Sequence, residues 1–305
     1  MKVFHAELTA NPSYYSYGYA VYGLIEDGDD LDDIYACGFL PFIGARDQEE
    51  GMVYMARGTR IRLSGYAETN DQTNVLRRLQ KDGLAPIERV VHERSSFPVT
   101  GAFIAFLQAY FDFRFGKGAM PAERLTALIS SPLLTHIIEY RFNGKPVGYL
   151  LETQTGGLSH VWYEAYAKEY AGRHLGMYLF IDFIRRAKDA GKDYAYFGAT
   201  YGNWMRYKTN FRALEFWDGA RWITDATNKQ LKKLLVDDPT RLAGFVDEWR
   251  KGKRPYHPSP YPFRSPLASL RYVYTLAVLY PKFVGAMLLL LAAFAAFIQF
   301  QLILF

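Results

Sequence analysis

The order of apolar and turn segments between residues 135 and 211 constrains the fold of this chain more than any other feature. Two apolar runs are joined by Asn143 and Gly144, a dipeptide that favours a tight β-hairpin. A later apolar pattern has helical spacing and is stopped by Gly191. In chain order the segments are a hairpin at 135–153, a strand from 158, a helix at 174–190, a strand at 193–199 and a helix from 203. This alternation predicts an α+β fold, with helices packed on a sheet.

The segment RHLGMY, residues 173–178, lies between a predicted strand and a predicted helix. It resembles the R-x-x-G-x-G/A loop of acyl-CoA N-acyltransferases, where backbone N–H groups at a helix start hold a pyrophosphate. Tyr178 stands where a small residue is usual, and its ring is expected to crowd the close approach that glycine permits. The order of segments around this loop resembles the core of GNAT N-acyltransferases. We therefore expect a GNAT-like acyltransferase core preceded by a smaller N-terminal α/β domain.

A closer resemblance is carried by residues 157–211. They resemble the C-terminal half of the arginyl-tRNA–protein transferases and the bacterial leucyl-tRNA–protein transferases of the N-end rule. The family's pattern is roughly G-L-S-x-V-Y, then S-L-G-T-Y, Y-x-x-L-G-Y and M-x-Y-K-x-x-F. Matching positions here are Gly157, Leu158, Ser159, Val161, Leu175, Gly176, Tyr178, Tyr196, Gly198, Met205, Tyr207, Lys208 and Phe211. In that family Tyr178 is the expected residue.

A looser resemblance covers the N-terminal half, so that the whole extends from about residue 14 to 222. It rests on CGFLP at 37–41, RIRL at 60–63 and TNDQTNVLRRL at 69–79. The last segment lacks the arginines of the family's S-R-S-Q-R-R run until Arg77 and Arg78, so recognition of the acceptor is expected to differ.

The resemblance implies that the donor is an aminoacyl-tRNA rather than an acyl-CoA. An α-amine would attack the ester carbonyl at the tRNA 3′ end and form a peptide bond, with a protein N-terminus as acceptor. Such a site must orient the donor, accept the amine's proton and stabilise the oxyanion. The predicted donor-binding residues are Ser159, Arg173, Gly176, Met177 and Tyr178.

Three further residues are predicted to be catalytic by residue type. Tyr196 and Tyr207 are candidates for proton relay or substrate orientation, and Lys208 for pairing with phosphate or an acidic acceptor. Packing and surface roles remain the alternatives for Tyr207 and Lys208. His160 and His174 lack metal-ligand spacing and are interpreted as structural.

Basic residues in the N-terminal half are predicted to contact tRNA phosphates. These residues are Arg57, Arg60, Arg77 and Arg78. A solvated basic face is the alternative reading.

No metal site or cofactor is predicted. Cys37 is the single cysteine, and YMARGT at 54–59 lacks the further cysteines found in family members with a regulatory cluster. Cys37 is therefore expected to be a small buried hydrophobe.

The last part of the chain predicts a membrane anchor. Residues 283–305 carry no charge, and a helix of this length spans ~34 Å, enough for a bilayer core of ~30 Å. After Glu248 there are seven basic residues and no acidic one, all before this segment. Removing those seven leaves 29 basic against 31 acidic residues, so the net charge of +5 does not argue for RNA binding by residues 1–249. The positive-inside bias predicts a single-pass protein with a cytoplasmic body, and a buried core helix is the alternative.

Four regions are expected along the chain. They are an N-terminal transferase-like domain at 1–95, a GNAT-like aminoacyltransferase domain at 96–250, a basic Pro-rich linker at 251–282 and a transmembrane helix at 283–305. Three other functions stay open: transfer of the amino acid to a lipid, an ordinary acyl-CoA N-acyltransferase, and a non-catalytic module that binds N-termini.

Overall fold

The computed structural model describes residues 1–8, 19–43, 51–224 and 228–237. Within these ranges the strands are β1 Lys2–Leu8, β2 Tyr19–Leu24, β3 Phe39–Pro41, β4 Met52–Met55, β5 Gly58–Arg62, β6 Glu88–Glu93, β7 His136–Phe142, β8 Lys145–Gln154, β9 Leu158–Tyr166, β10 Tyr194–Ala199, β11 Leu214–Trp217 and β12 Trp222–Ile223. The α-helices are α1 Leu31–Ala36, α2 Asn70–Lys81, α3 Gly101–Phe115, α4 Ala122–Ser130 and α5 Leu175–Asp189. Residues 228–237 are also helical, and 3₁₀ helices cover Leu63–Gly65, Lys168–Tyr170 and Asn203–Asn210.

The strands form two sheets. The smaller has the order β1-β2-β4-β3 and is antiparallel throughout. The larger has the order β12-β11-β5-β10-β9-β8-β7-β6, and every pairing is antiparallel except that of β9 with β10. Strands β5 and β6 come from the first 95 residues, so the larger sheet crosses the predicted boundary between the two domains. The division into domains stays a prediction.

Side-chain alternation along the strands separates two cores. Ile138 of β7 faces α2 and α5, whereas its neighbour Ile137 faces α3 and α4. On β10, Phe197 packs with α5, while Tyr196 packs on the opposite face beside Tyr35 of α1. The larger sheet is therefore covered by α2 and α5 on one face. Its other face is covered by α3 and α4, with α1 beside them.

The hairpin predicted at Asn143-Gly144 is confirmed. Both residues have positive φ, 51° and 71°, and join β7 directly to β8. Positive φ at both central positions is the geometry that matches the twist of a two-residue hairpin, and asparagine and glycine adopt it at low cost. The helix expected at 174–190 is α5, and the strand expected at 193–199 is β10.

Local capping explains where two other helices begin. The Thr69 hydroxyl accepts the N–H of Gln72, and the Gln72 side chain accepts the N–H of Thr69, which closes a capping box at α2. At α3 the Thr100 hydroxyl accepts the N–H of Phe103 at 3.2 Å.

In the portions of the chain that the structure describes, no helix combines the length and the apolar character needed to cross a membrane. The predicted anchor at 283–305 and the predicted linker at 251–282 lie outside those portions.

Candidate active site

A wedge opens between β9 and β10 in the middle of the larger sheet. The two strands pair in parallel only from Leu158 opposite Tyr194 to His160 opposite Tyr196. Beyond that point β9 continues to Tyr166, paired on its other side with β8. The two strands thus diverge over 161–166, and the site described below lies along this divergence.

The N-terminus of α5 lies at the end of β9. His174, the residue before the helix, has φ 61° and its side chain makes no capping hydrogen bond. The first backbone N–H groups of an α-helix have no partner within the helix and carry a partial positive charge. This end of α5 is therefore suited to an anionic group.

Gly176 lets α5 approach β9 closely. A Cβ atom added to Gly176 would lie 2.9 Å from Cε1 of Tyr166, closer than real Cβ contacts. Any side chain at position 176 must displace the Tyr166 ring or the start of the helix. The near neighbour of Gly176 is thus a ring of the protein itself, and its role in binding the donor stays a prediction.

Lys208 covers the β10 side of the wedge. Its Nζ donates to the carbonyl oxygen of Phe197 at 2.6 Å and to that of Ala199 at 3.0 Å. The carbonyl of the intervening Gly198 accepts from the Thr59 hydroxyl of β5 at 3.4 Å instead. Lys208 is buried, and burial lowers the pKa of its ammonium. Among the described residues two of its three donors are used, which leaves one for a ligand.

Glu164 lies on β9 in the diverging segment. It is half-buried, and the Tyr110 hydroxyl donates to Oε1 at 3.3 Å. Its other oxygen, Oε2, is shielded from solvent and has no hydrogen-bond partner among the described residues. Burial raises the pKa of the Glu164 carboxyl to about 7, and the Lys208 charge opposes that rise.

Tyr207 lies within electrostatic range of the Glu164 carboxylate. It packs against Phe180 with ring centroids 5.7 Å apart, and burial together with the Glu164 charge raises the pKa of its hydroxyl. The structure therefore brings together two of the three predicted catalytic residues, Tyr207 and Lys208, and adds Glu164 to them.

Tyr196 is placed elsewhere. It is 1% exposed and lies on the opposite face of the sheet, where the Arg60 guanidinium donates to its hydroxyl at 2.9 Å. Burial raises the pKa of Tyr196 to about 12, against the effect of Arg60. This enclosure favours a packing role, and the catalytic role predicted for Tyr196 stays a prediction.

His160 stands where β9 and β10 begin to diverge. Its Nδ1 shares a hydrogen bond of 2.8 Å with the Tyr35 hydroxyl, while its Nε2 is buried without a partner in the described part of the chain. Burial, with a smaller effect of Lys208, lowers the pKa of His160 to about 3, so the imidazole is neutral. A Cβ added to Gly198 would lie 3.3 Å from Nε2, so the glycine at this position keeps the backbone clear of the ring.

The predicted donor-binding residues are spread along the wedge. Ser159 is buried and lies opposite Ala195 in the short parallel pairing of β9 with β10. Arg173 is exposed immediately before α5, and Met177 is half-buried against the α5 core. Tyr178 packs edge-on against Tyr140 of β7, on the side of β9 away from β10. The ring of Tyr178 is thus held over β7 rather than over the wedge.

The predicted tRNA-contact residues divide into two pairs. Arg57 and Arg60 are 2% and 7% exposed, so neither is a surface cation. Arg60 is held between the rings of Tyr194 and Trp222 and donates to Glu215 at 2.8 Å. By contrast, Arg77 and Arg78 are exposed on α2.

Cys37 is exposed at the C-terminal end of α1, so the expectation of a buried cysteine is wrong. Cys37 caps α1 directly after its last residue, Ala36, and its side chain is open to solvent there. Among the described residues no group of three or more His, Cys, Asp or Glu side chains is arranged to hold a metal ion.

Sequence reasoning missed Glu164 and assigned His160 a purely structural role. The signal for Glu164 was a carboxylate within WYEAY, an otherwise aromatic and apolar strand segment at 162–166. A carboxylate in such a strand is costly unless it is paired or functional.

Comparison with known proteins finds similarity in the part of the chain that contains this site. Residues 76–209 match the acetyltransferase (GNAT) domain family. An aspartate/glutamate leucyltransferase of Cereibacter sphaeroides is 30% identical over 179 residues, which cover 53% of this chain and 60% of that protein. The enzyme of the same name from Methylorubrum extorquens is 28% identical over 182 residues, covering 54% of this chain and 70% of that protein.

Likeness to solved structures is weaker. The C-terminal domain of a putative lysylphosphatidylglycerol synthetase from Agrobacterium fabrum has a TM-score of 0.36 and 13% identity, covering 48% of this chain and 47% of that one. A TM-score this low carries no conclusion.

The chain spans about three fifths of the length of the first curated relatives it matches. The match to the GNAT domain and the similarity to leucyltransferases support an acyl- or aminoacyltransferase with a GNAT-like α+β fold.

Proposed function

We propose that this protein transfers an amino acid from aminoacyl-tRNA to the α-amine of a protein N-terminus and forms a peptide bond. The observation that carries the proposal is the wedge between β9 and β10. There the start of α5, which has no side-chain cap at His174, meets the end of β9 at Tyr166. The Glu164 carboxylate of β9 and the buried ammonium of Lys208 influence each other in the same region. An anion-binding helix end, a fixed cation and a carboxylate are the groups that aminolysis of a tRNA ester needs.

The donor is assigned to the α5 end of the wedge. The first N–H groups of α5, with Arg173 beside them, would hold a phosphate near the tRNA 3′ end. Gly176 permits the helix to lie against β9, and so sets the distance from that phosphate to the ester. The remaining N–H of Lys208 would then stabilise the negative charge that develops on the ester oxygen. Arg77 and Arg78 are proposed to contact the tRNA further from the site.

The names of the curated relatives select the first substrates to test. Those proteins are aspartate/glutamate leucyltransferases, so leucine is the proposed amino acid and Asp or Glu the proposed first residue of the acceptor. The assay incubates the purified protein with labelled leucyl-tRNA and peptides that begin with Asp, Glu or Ala. We expect label on the Asp and Glu peptides. The Ala peptide is expected to be labelled much more slowly.

The same assay separates the other functions. Parallel reactions contain labelled acetyl-CoA in place of leucyl-tRNA, and all products are divided into peptide and lipid fractions. Acetylated peptide without leucylated peptide would contradict the proposal in favour of an acyl-CoA N-acyltransferase. Labelled phospholipid without labelled peptide would contradict it in favour of lipid modification.

Membrane attachment through residues 283–305 is a further part of the proposal. It rests on the uncharged sequence of that segment and on the seven basic residues before it. The full chain is expected to sediment with membranes, and a variant lacking 283–305 to remain in the supernatant with a cooperative unfolding transition. Protease added outside intact cells should leave residues 1–249 uncut. A truncated protein that has lost its cooperative transition would show that the segment belongs to the core.

A further inference from the structure

We infer that Glu164 binds the α-ammonium of the acceptor and takes one proton from it, so that the neutral amine can attack the donor ester. This inference rests on the proposed function and assigns the acceptor side of the same site.

The two oxygens of Glu164 are in different environments. Oε1 accepts from the Tyr110 hydroxyl of α3, which orients the carboxylate. Oε2 is shielded from solvent and has no partner among the residues described. A buried carboxylate oxygen without a donor is costly, and most such atoms in folded proteins are paired. An incoming ammonium group supplies both the charge and the N–H donors that Oε2 lacks.

The position of Glu164 on β9 suits this role. It lies between Tyr166, which contacts the start of α5 at Gly176, and His160, where β9 and β10 separate. The positive charge of Lys208, whose ammonium bonds to β10 carbonyls, lowers the pKa of the Glu164 carboxyl. An acceptor amine at Oε2 therefore lies between the proposed donor end of the wedge and the ammonium proposed to stabilise the oxyanion.

The groups around Glu164 explain how it can serve as a base. Tyr110 of α3 donates a hydrogen bond to Glu164, and the charges of Lys208 and Arg114 act on its carboxyl. The charge of Glu164 in turn raises the pKa values of the Tyr166 and Tyr207 hydroxyls. Burial outweighs these groups and raises the pKa of the Glu164 carboxyl to about 7.

The raised pKa of Glu164 makes it a better acceptor for a proton from the α-ammonium. An α-ammonium has a pKa of about 7.7–8.0, so transfer to an unperturbed glutamate would be unfavourable by roughly three thousandfold. Burial raises the pKa of the Glu164 carboxyl toward that of the ammonium, so the transfer becomes much less unfavourable. Neutral His160 is less suited because its pKa is lower and Tyr35 occupies its Nδ1.

The step balances without any further reactant. The acceptor α-ammonium gives one proton to Glu164, and the neutral amine forms a C–N bond to the ester carbonyl carbon. When the tetrahedral intermediate collapses, the C–O bond to the tRNA ribose breaks and the ribose oxygen receives a second proton from the same nitrogen. Glu164 then releases its proton to solvent as the product leaves.

The experiment compares Glu164→Gln and Glu164→Asp with the matched surface variant Glu169→Gln in the full chain. Glu169 is exposed five residues further along. Transfer of leucine to a peptide beginning with Asp and binding of leucyl-tRNA are measured separately from pH 5.5 to 9. We expect Glu164→Gln to lower kcat/KM for the peptide about 100-fold while the Kd for leucyl-tRNA changes less than twofold. Glu164→Asp should recover part of the activity, and Glu169→Gln should behave as wild type.

The pH profile adds a readout that a structural role would not affect. Wild-type kcat is expected to rise with pH through about 7, because only the ionised carboxylate accepts a proton. Glu164→Gln should lose the rise near 7 and keep only a rise near about 8, where the acceptor ammonium itself deprotonates. The inference would be overturned if Glu164→Gln transferred leucine within threefold of the wild-type rate, or if it lost tRNA binding and transfer equally. In either case, transfer by the wild-type protein would leave the proposed function intact. A wild-type protein that transfers leucine to no peptide would instead reject the proposed function itself.

Discussion

Replacing Gly176 with valine is expected to abolish transfer of the amino acid, with a loss greater than about 1,000-fold. A Cβ at this position would lie 2.9 Å from Tyr166, and the branched side chain of valine cannot rotate its bulk away from that ring. The start of α5 must move from β9 or the Tyr166 ring must swing toward Glu164. Either change alters the distance between the helix N–H groups and the Lys208 ammonium, and displacements of about 1 Å already cost about 100-fold in rate.

The matched control is Gly156→Ala. A Cβ at Gly156 meets no atom within 4 Å, so this variant should retain wild-type transfer and an unchanged unfolding midpoint. Gly176→Ala, whose single methyl meets the same contact, is expected to be intermediate. Initial rates with leucyl-tRNA and the Asp peptide are measured beside the thermal unfolding of each protein. Wild-type rates in a folded Gly176→Val protein would show that the approach of α5 to β9 has no role in the reaction.

Replacing Lys208 with methionine is expected to reduce kcat about 1,000-fold and to destabilise the fold by ~1–3 kcal/mol. The carbonyl oxygens of Phe197 and Ala199 lose their donor, and a buried carbonyl without a partner carries that cost. Methionine is similar in length but cannot stabilise a developing oxyanion. The catalytic loss should therefore be larger than the loss of stability alone predicts.

The Lys208 variant also has an expected pH signature. The Lys208 charge lowers the pKa of Glu164, so its removal raises that pKa further. The ionised carboxylate then appears only at higher pH, and the rise in residual activity should move to higher pH. Lys233→Met, at an exposed position in 228–237, is the control for a general loss of positive charge. An unshifted profile in Lys208→Met would show that the two side chains act independently.

Local sequence predicted the elements whose geometry is decided by a few neighbouring residues. Asn143 and Gly144 determine the turn between β7 and β8 because two consecutive positive φ angles favour those residue types. Helix α5 followed from the spacing of its apolar residues, and the position of Gly176 at its start followed from the family pattern.

Neighbouring residues carry no information about contacts made across the sheet. The insertion of β5 between β10 and β11 joins residues about 150 positions apart, and it decides that Arg60 pairs with Glu215 and Tyr196 instead of facing solvent. Side-chain alternation then places Tyr196 on the face opposite α5, although the next residue, Phe197, packs with α5 and its carbonyl accepts from Lys208.

The sequence by itself determined the order of strands and helices around RHLGMY and the residue types available to the site, because these depend on local propensity and spacing. Only the tertiary structure decided which polar groups meet in the wedge. The pKa of the Glu164 carboxyl is raised because the side chain is buried where β9 diverges from β10, near α3 and the 3₁₀ helix that carries Lys208. The desolvation of a group depends on all the elements packed around it, and these elements come from distant parts of the sequence.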